Sequence, residues 1–291
     1  MKGFKIWLVL ASWTILFAQD TSDLTKESYH FDVSGISRMD VEISYGLGEL
    51  IIKSSQETNT IEGLIKYNSK YVKPDVDYHK IGSKGKLDIT VKSNKRGDDE
   101  NHWPFDFRGG KRHGDSEVDF RLPQSIPMDI KMDFGLGDAD LDFSGLSISD
   151  LHMDCGLSDV KISMDKSNPV KCRRISIESG LGDFNASELG NLRPREFHLD
   201  VGLGSASIDL TGDITNDMEG DINVGLGSLD LILPKNVNIR LEVEDTFLSS
   251  VDVEGLVKEN NEWVSRHWDR QIPTIELEIS VGLGSVDVEL K

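Results

Sequence analysis

The sequence predicts an all-β fold: a β-solenoid of stacked coils of about 22 residues with Gly-Leu-Gly corners, plus a small N-terminal β region. Three observations predict it. A Gly-Leu-Gly motif recurs, apolar residues alternate with polar ones on both sides of the motif, and the alternation shifts by one residue across it. We call this shift, from odd to even residue numbers or the reverse, the parity change. Alternation with period two is typical of half-buried strands. A short repeat cannot bury its apolar face alone, so neighbouring copies are expected to stack.

The repeated unit reads apolar-x-apolar-x-apolar, Gly-Leu-Gly, Ser or Asp, and then apolar-x-apolar. Its Gly-Leu-Gly copies begin at Gly46, Gly135, Gly180, Gly202, Gly225 and Gly282, a Gly-Leu-Ser variant begins at Gly156, and a degraded copy without glycines begins at Phe247. From Gly135 to Phe247, successive copies begin 21 to 24 residues apart. Such regular spacing indicates one coil for each copy.

The parity change indicates that the motif is a bulged corner. In the copy at Gly202, Leu199 and Val201 alternate before the motif, and Ala206 and Ile208 alternate after it on the opposite parity. A slip of one residue turns every later side chain outward unless the backbone bends. We expect the glycines to supply positive φ or close backbone approach, and the leucine to fill the interior. The predicted corner glycines are Gly46, Gly48, Gly135, Gly137, Gly156, Gly180, Gly182, Gly202, Gly204, Gly225, Gly227, Gly282 and Gly284.

The start of the chain has the pattern of a signal peptide, residues 1–18. Lys2 and Lys5 precede an apolar stretch from Ile6 to Phe17, and Ala18 offers a small residue for cleavage. The stretch is too short for a membrane span, and no later stretch approaches that length. The sequence therefore predicts export to the periplasm, the cell surface or the extracellular space.

The mature chain is divided into an N-terminal β region, residues 19–121 with a loop at 95–117, and a solenoid domain, residues 122–291. Its net charge is strongly negative, −19 for the whole chain and −21 after loss of Lys2 and Lys5. Such a charge repels nucleic acid and anionic lipid. The expected partner is an envelope protein or another surface macromolecule, and the oligomeric state is left open.

The regularity breaks in two segments. Between residues 59 and 117, strands of a hairpin or small sheet are predicted at Ile61–Tyr67, Val76–His79 and Leu87–Val91. A second interruption, residues 255–273, is expected to cover the open end of the stack, because terminal coils need capping. Aromatic residues in these segments could instead form a partner surface: Trp103, Phe105, Phe107, Trp263 and Trp268.

Candidate metal ligands and reactive groups are few. Asp138, Asp159 and Asp183 follow three consecutive corners and would lie about 4.8 Å apart if stacked. They could hold a cation such as calcium. The favoured interpretation is that these carboxylates are exposed to solvent and accept backbone N–H groups at the corners. Cys155 and Cys172 are expected to be independent thiols rather than a disulfide. No cofactor is predicted.

Catalytic patterns are also lacking, since the sequence has no Ser/His/Asp order, nucleotide loop or zinc helix. The preferred hypothesis is a non-catalytic envelope module that binds another macromolecule. A passive spacer is the first alternative. An enzyme that cleaves polysaccharides with paired carboxylates is the second, because β-solenoids host such enzymes.

Several motifs resemble a known family. They are Tyr45–Leu50, Glu62-Gly63, Tyr67-Asn68, Lys73–Val76, Leu122–Asp129, Leu141–Leu146, Trp263–Ser265 and Ile279–Val286. The chain resembles the bacterial toast-rack family, whose second part is related to adhesin-like proteins and to the extracytoplasmic part of LiaF-like envelope-stress proteins. The resemblance implies a β-repeat fold, an envelope location, a role in adhesion or regulation, and no catalytic residues. LiaF-like regulators carry membrane helices before this domain, whereas a signal peptide is expected here, which disfavours direct membrane signalling.

Overall fold

The structure, a computed structural model, describes residues 24–93, 116–244 and 249–291. The predicted signal peptide and most of the predicted loop 95–117 lie outside these residues. The strands are β1 (Thr25–Asp32), β2 (Arg38–Ser54), β3 (Thr60–Tyr67), β4 (Val72–Ile81), β5 (Lys84–Ser93), β6 (Glu117–Leu122), β7 (Met128–Asp142), β8 (Ile148–Ser163), β9 (Arg174–Leu181), β10 (Phe184–Ser187), β11 (Glu196–Asp209), β12 (Met218–Leu233), β13 (Asn238–Glu244), β14 (Ser249–Val253), β15 (Val257–Glu259), β16 (Glu262–Val264) and β17 (Thr274–Leu290). A short 3-10 helix spans Leu189–Leu192. The prediction of an all-β protein is confirmed.

Long parallel strands form the centre of the molecule. In spatial order the layers are β2, β7, β8, the pair β9 and β10, β11, β12 and β17. Each layer pairs in parallel with the next, and β9 and β10 together form the single layer between β8 and β11. The register places each motif beside the next one, so that Leu203 pairs with Leu226 and Leu226 with Leu283. Except at β9 and β10, one bent strand of 14 to 17 residues runs through each corner. One bent strand, rather than a set of short strands, therefore makes each of these corners.

Pairs of shorter strands form the two edge layers. β5 and β6 pair with the two arms of β2, and β13 and β14 pair with the two arms of β17. Antiparallel strands cover these layers, with β4 on β5, β3 on β6, β1 on β3 and β16 on β13. The predicted hairpin is confirmed as β4 and β5, although β5 also belongs to the parallel stack.

The order of the layers departs from the order of the chain near the C-terminus. β17 lies between β12 and the layer of β13 and β14, although it follows them in sequence. The copies with intact glycines thus occupy the inner layers, and the copy that lacks them belongs to an edge layer.

The core lies on the inner side of the long strands. In β12, Ile222 and Val224 before the corner and Leu229 and Leu231 after it are buried. The buried residues on the two sides of the corner have opposite parity, so the predicted parity change is present. Removal of these apolar surfaces from water, worth about 25 cal/mol per Å², is the main contribution to the stability of the stack.

Buried asparagines join the turns between layers, and the sequence reasoning missed them. The Asn168 side chain donates to the carbonyls of Ile148 (2.7 Å) and Leu192 (3.2 Å) and accepts the N–H of Ile148 at 3.0 Å. Asn191 donates to the carbonyl of Met164 at 2.8 Å and accepts the N–H of Asp213 at 2.9 Å. These side chains satisfy backbone groups that would otherwise be buried without partners.

Candidate functional site

The third residue of each corner determines how the backbone turns. The glycines there have a positive φ: Gly48, Gly137, Gly182, Gly204, Gly227 and Gly284, with values from 131° to 152°. Residues with a side chain rarely adopt this conformation. In the Gly-Leu-Ser variant, Ser158 is not among the described residues with positive φ. The turn at that layer is therefore made with an ordinary backbone conformation.

The first residue of every corner except Gly46 is required to be small because neighbouring layers approach closely. A Cβ on Gly135 would lie 2.4 Å from the carbonyl oxygen of Gly46, and one on Gly282 would lie 2.5 Å from that of Gly225. Gly156, Gly180, Gly202 and Gly225 meet the preceding glycine in the same way. Any larger residue here would force adjacent layers apart.

The leucine between the glycines points outward, so the expectation that it fills the interior is wrong. Leu157, Leu181, Leu203, Leu226 and Leu283 are 43% to 51% exposed, and Leu47 and Leu136 are partly exposed. The physical reason is the bend itself. The chain passes over the apex of the corner there, and the buried alternation resumes only two residues after the second glycine.

These leucines form a continuous line across the molecule. Each is the register partner of the next through the parallel ladder. We call this line the leucine row; its members are Leu47, Leu136, Leu157, Leu181, Leu203, Leu226 and Leu283. An apolar surface that is contiguous, rather than scattered, is typical of an interaction site.

Acidic side chains flank the leucine row on both sides. Two residues after the first four leucines lie Glu49, Asp138, Asp159 and Asp183. Three residues before the leucines, the row starts with the uncharged Ser44 and continues with Asp133, Asp154, Glu178 and Asp200. We call these eight acidic residues the acidic rows. In the layers of β12 and β17 both flanks are uncharged: Asn223, Ser228, Ser280 and Ser285.

None of the eight carboxylates of the acidic rows forms an ion pair with a described lysine or arginine, and Asp154 lies 3.3 Å from the His152 ring. Stacked carboxylates at about the strand spacing of 4.8 Å repel one another. The surface therefore combines an apolar line with a field of negative charge.

A sequence model of the family described as the N-terminal domain of toast_rack, DUF2154, matches residues 19–186. The chain belongs to this family. The resemblance drawn from the motifs is thereby confirmed, and the matched residues include the first four corners. The remaining corners, from Gly202 onward, continue the same geometry beyond the matched segment.

Two solved structures align with nearly the whole of this toast_rack family chain. One is a "putative cell adhesion protein" from Clostridium sporogenes ATCC 15579, with TM-score 0.47, 19% identity, and 92% of this chain and 100% of that chain covered. The other is a "putative adhesin" from Bacteroides fragilis NCTC 9343, with TM-score 0.34, 12% identity, and 91% and 97% covered. No curated protein matches the chain. The family assignment rests on the family model.

The three aspartates predicted as a possible cation ladder do lie in adjacent layers. Asp138 is the register partner of Asp159, and the carboxylate of Asp159 accepts the N–H of Asp183 at 3.1 Å. Within residues 24–93, 116–244 and 249–291, no group of three His, Cys, Asp or Glu side chains is arranged to hold a metal ion. Asp159 thus accepts a backbone N–H from the adjacent layer, and the cation ladder stays a prediction.

The predicted aromatic residues are divided between two places. Trp103, Phe105 and Phe107 lie outside the described residues. Trp263, in β16, packs against the core beside the β13 edge layer, and Lys258 Nζ lies 5.2 Å from its ring centroid. Trp268 is 44% exposed. The Arg240 guanidinium carbon lies 5.3 Å from the Trp268 ring centroid. β16 thus covers an edge layer, as a cap would.

The two cysteines are free thiols in the interior. Cys155 and Cys172 are both buried and unlinked. Burial raises the pKa of each thiol to about 12. Because the thiolate is the nucleophile, neither cysteine is suited to covalent chemistry at neutral pH.

An open hollow of about 460 Å³ lies beside the arms that follow the corners. Asp140, Lys161 and Ser187 are among its lining residues. Asp140 pairs with Lys53 at 3.2 Å, so the charges near the hollow are of both signs. The hollow therefore lacks the uniformly negative charge of the acidic rows.

Among the described residues, no helix is long and apolar enough to cross a membrane.

Proposed function

We propose that the chain is a non-catalytic binding module of the bacterial cell envelope, built as a β-solenoid, in which the leucine row contacts another macromolecule. The parallel, in-register layers with a shared corner support the solenoid reading. The signal-peptide pattern of residues 1–18 and membership of the toast_rack family support the envelope location.

The observation that carries the proposal is the exposure of the leucine row. The corner needs its glycines because of their positive φ and the close approach of the layers. The corner does not need a large apolar residue between them. Seven leucines at the apices leave apolar surface in water, which does not favour folding. A partner that buries this surface gives the leucines a physical role.

An adhesin-like or regulatory role is part of the same proposal, because either requires a surface that captures a macromolecule. The net charge of −19 disfavours nucleic acid and anionic lipid as that macromolecule. The buried thiols and the geometry of the acidic rows give no support to a catalytic role. The passive spacer predicts instead that nothing binds the leucine row.

The test is retention of the purified chain on intact bacterial envelopes. The wild-type chain is compared with L181S/L203S/L226S, and with I81S as the control, since Ile81 is 80% exposed but lies outside the row. We expect the triple variant to lose retention while it stays folded, with its melting temperature lowered by only a few degrees, and I81S to be retained. Equal retention of all three proteins would favour the passive spacer.

A further inference from the structure

We propose that the leucine row is the docking site for a cationic amphipathic α-helix, a polypeptide with an apolar stripe bordered by lysine or arginine. This inference rests on the proposed function and names the class of partner. Three features of the row favour such a helix: the spacing of the leucines, the hydrogen bonding of the strands beneath them, and the charge on both flanks.

The spacing of the row matches a helix better than an extended strand. Successive leucines are one strand apart, about 4.8 Å, and six steps span about 29 Å. The stripe of an α-helix repeats about every 5.4 Å, so the mismatch is about 0.6 Å for each turn. Residues on one face of a strand repeat about every 6.7 Å, and that mismatch exceeds one full step within three repeats. A helix of about five to six turns covers the whole row.

Strand addition at the row is also excluded by hydrogen bonding. Leu157, Leu203 and Leu226 lie within strands that pair on both sides. The backbone beneath the row therefore offers no free edge to an extended peptide. A partner can engage the row only through side chains, which is the way an amphipathic helix docks its apolar face.

The charge on the flanks selects a cationic helix. The acidic rows put negative charge on both sides of the leucines, and these two rows hold no lysine or arginine in any layer from β2 to β17. A helix with basic residues on both borders of its apolar stripe complements this arrangement. A second copy of this chain would bring like charge to like charge, which disfavours self-association.

The two ends of the row differ in charge. The flanks are acidic in the layers from β7 to β9, whereas those of β12 and β17 carry serine and asparagine. The basic residues of the helix are therefore expected over the β7 to β9 end. This division makes separate variants possible, since the apolar and the electrostatic contributions can be removed independently.

The experiment uses a synthetic 20-residue peptide with leucine on one helical face and lysine on the other. The controls are a leucine/glutamate peptide of the same pattern and a scrambled leucine/lysine peptide. We expect the first peptide alone to bind the full chain. L181S/L203S/L226S should weaken that binding by at least about tenfold. D138N/D159N/D183N should weaken it several-fold and flatten its dependence on salt.

Three outcomes would overturn the inference. Equal binding of the scrambled peptide would show that charge alone acts, and unchanged binding by the leucine variant would show that the row is not the site. Leucine-dependent binding to phosphatidylcholine vesicles without peptide binding would make the partner a lipid surface.

Envelope retention separates the two proposals. If it depends on the leucines while the peptide fails to bind, the proposed function stands and the helix partner is wrong. If the peptide binds but envelope retention is the same for the wild type and L181S/L203S/L226S, the proposed function fails.

Discussion

Two leucines of β12 show how different the two sides of one strand are. Leu226 and Leu231 are five residues apart, yet Leu226 is 49% exposed and Leu231 is 1% exposed. Their side chains are identical, so the difference comes from the backbone. The glycines beside Leu226 turn the chain at the corner, whereas Leu231 lies on a regular arm. A leucine that recurs in every repeat can therefore belong to a surface rather than to a core.

Removal of a corner glycine is expected to have the largest effect. In G204A, a Cβ would lie 1.9 Å from the Gly182 carbonyl oxygen at a residue with φ +141°. Strain and overpacking together should lower the free energy of unfolding by about 4 kcal/mol. Denaturant unfolding measures it. The control is G82A, at φ +62° with nothing within 4 Å, which should cost about 1 kcal/mol. Equal costs would show that close approach of the layers is unimportant.

Truncation of the two leucines tests the comparison directly. L231A removes a fully buried side chain and should destabilise the protein by about 3 kcal/mol. L226A removes a half-exposed side chain and should cost less than about 1 kcal/mol. Urea midpoints of the two variants, measured side by side, give the difference. A large loss for L226A would mean that the leucine row supports folding rather than binding.

The same contrast extends to asparagine. N168L leaves the N–H of Ile148 and two carbonyls without their partner, at a residue that is fully buried. We expect a loss of about 2 to 3 kcal/mol in the free energy of unfolding. N185L, at an exposed position of β10, should change it by less than about 0.5 kcal/mol. Thermal melts suffice for this pair, and similar shifts would refute the role of the buried amide.

The buried thiols predict a pH dependence. Folding raises the pKa of Cys155 and Cys172 to about 12, above the usual value near 8.5. Their contribution to stability is complete below about pH 8.5 and is lost as the pH rises toward 12, because only the unfolded thiols ionise. Burial also raises the pKa of Tyr29 and Tyr67, which changes stability in the same direction.

The thiol contribution is isolated by comparing the wild type with C155A/C172A between pH 7 and pH 10. The wild-type stability should fall more steeply than that of the variant, by about 4 kcal/mol at pH 10, or about 2 kcal/mol for each thiol. Labelling by a thiol reagent at pH 8 should be slow in the native protein and fast in urea. Rapid native labelling would place the thiols on the surface.

Features that depend on residues close together in the chain could be predicted from the sequence, and features that depend on contacts between layers could not. Alternation and parity are local properties, so the strands and the β4–β5 hairpin were predictable. The direction of Leu203 was not, because period-two counting assigns it to the interior and only the bend reverses it. Asn168 carries no local signal, since its partners lie in neighbouring layers.

The amino-acid sequence alone was enough to establish a β-protein with a repeated glycine corner and a strong negative charge. These properties depend on side-chain chemistry and on residues close together in the chain. The three-dimensional arrangement was needed to show that β17 inserts beside β12, and that the corner leucines align into an exposed row flanked by carboxylates. Those features depend on which layers meet, and layer pairing joins residues that are far apart in the sequence.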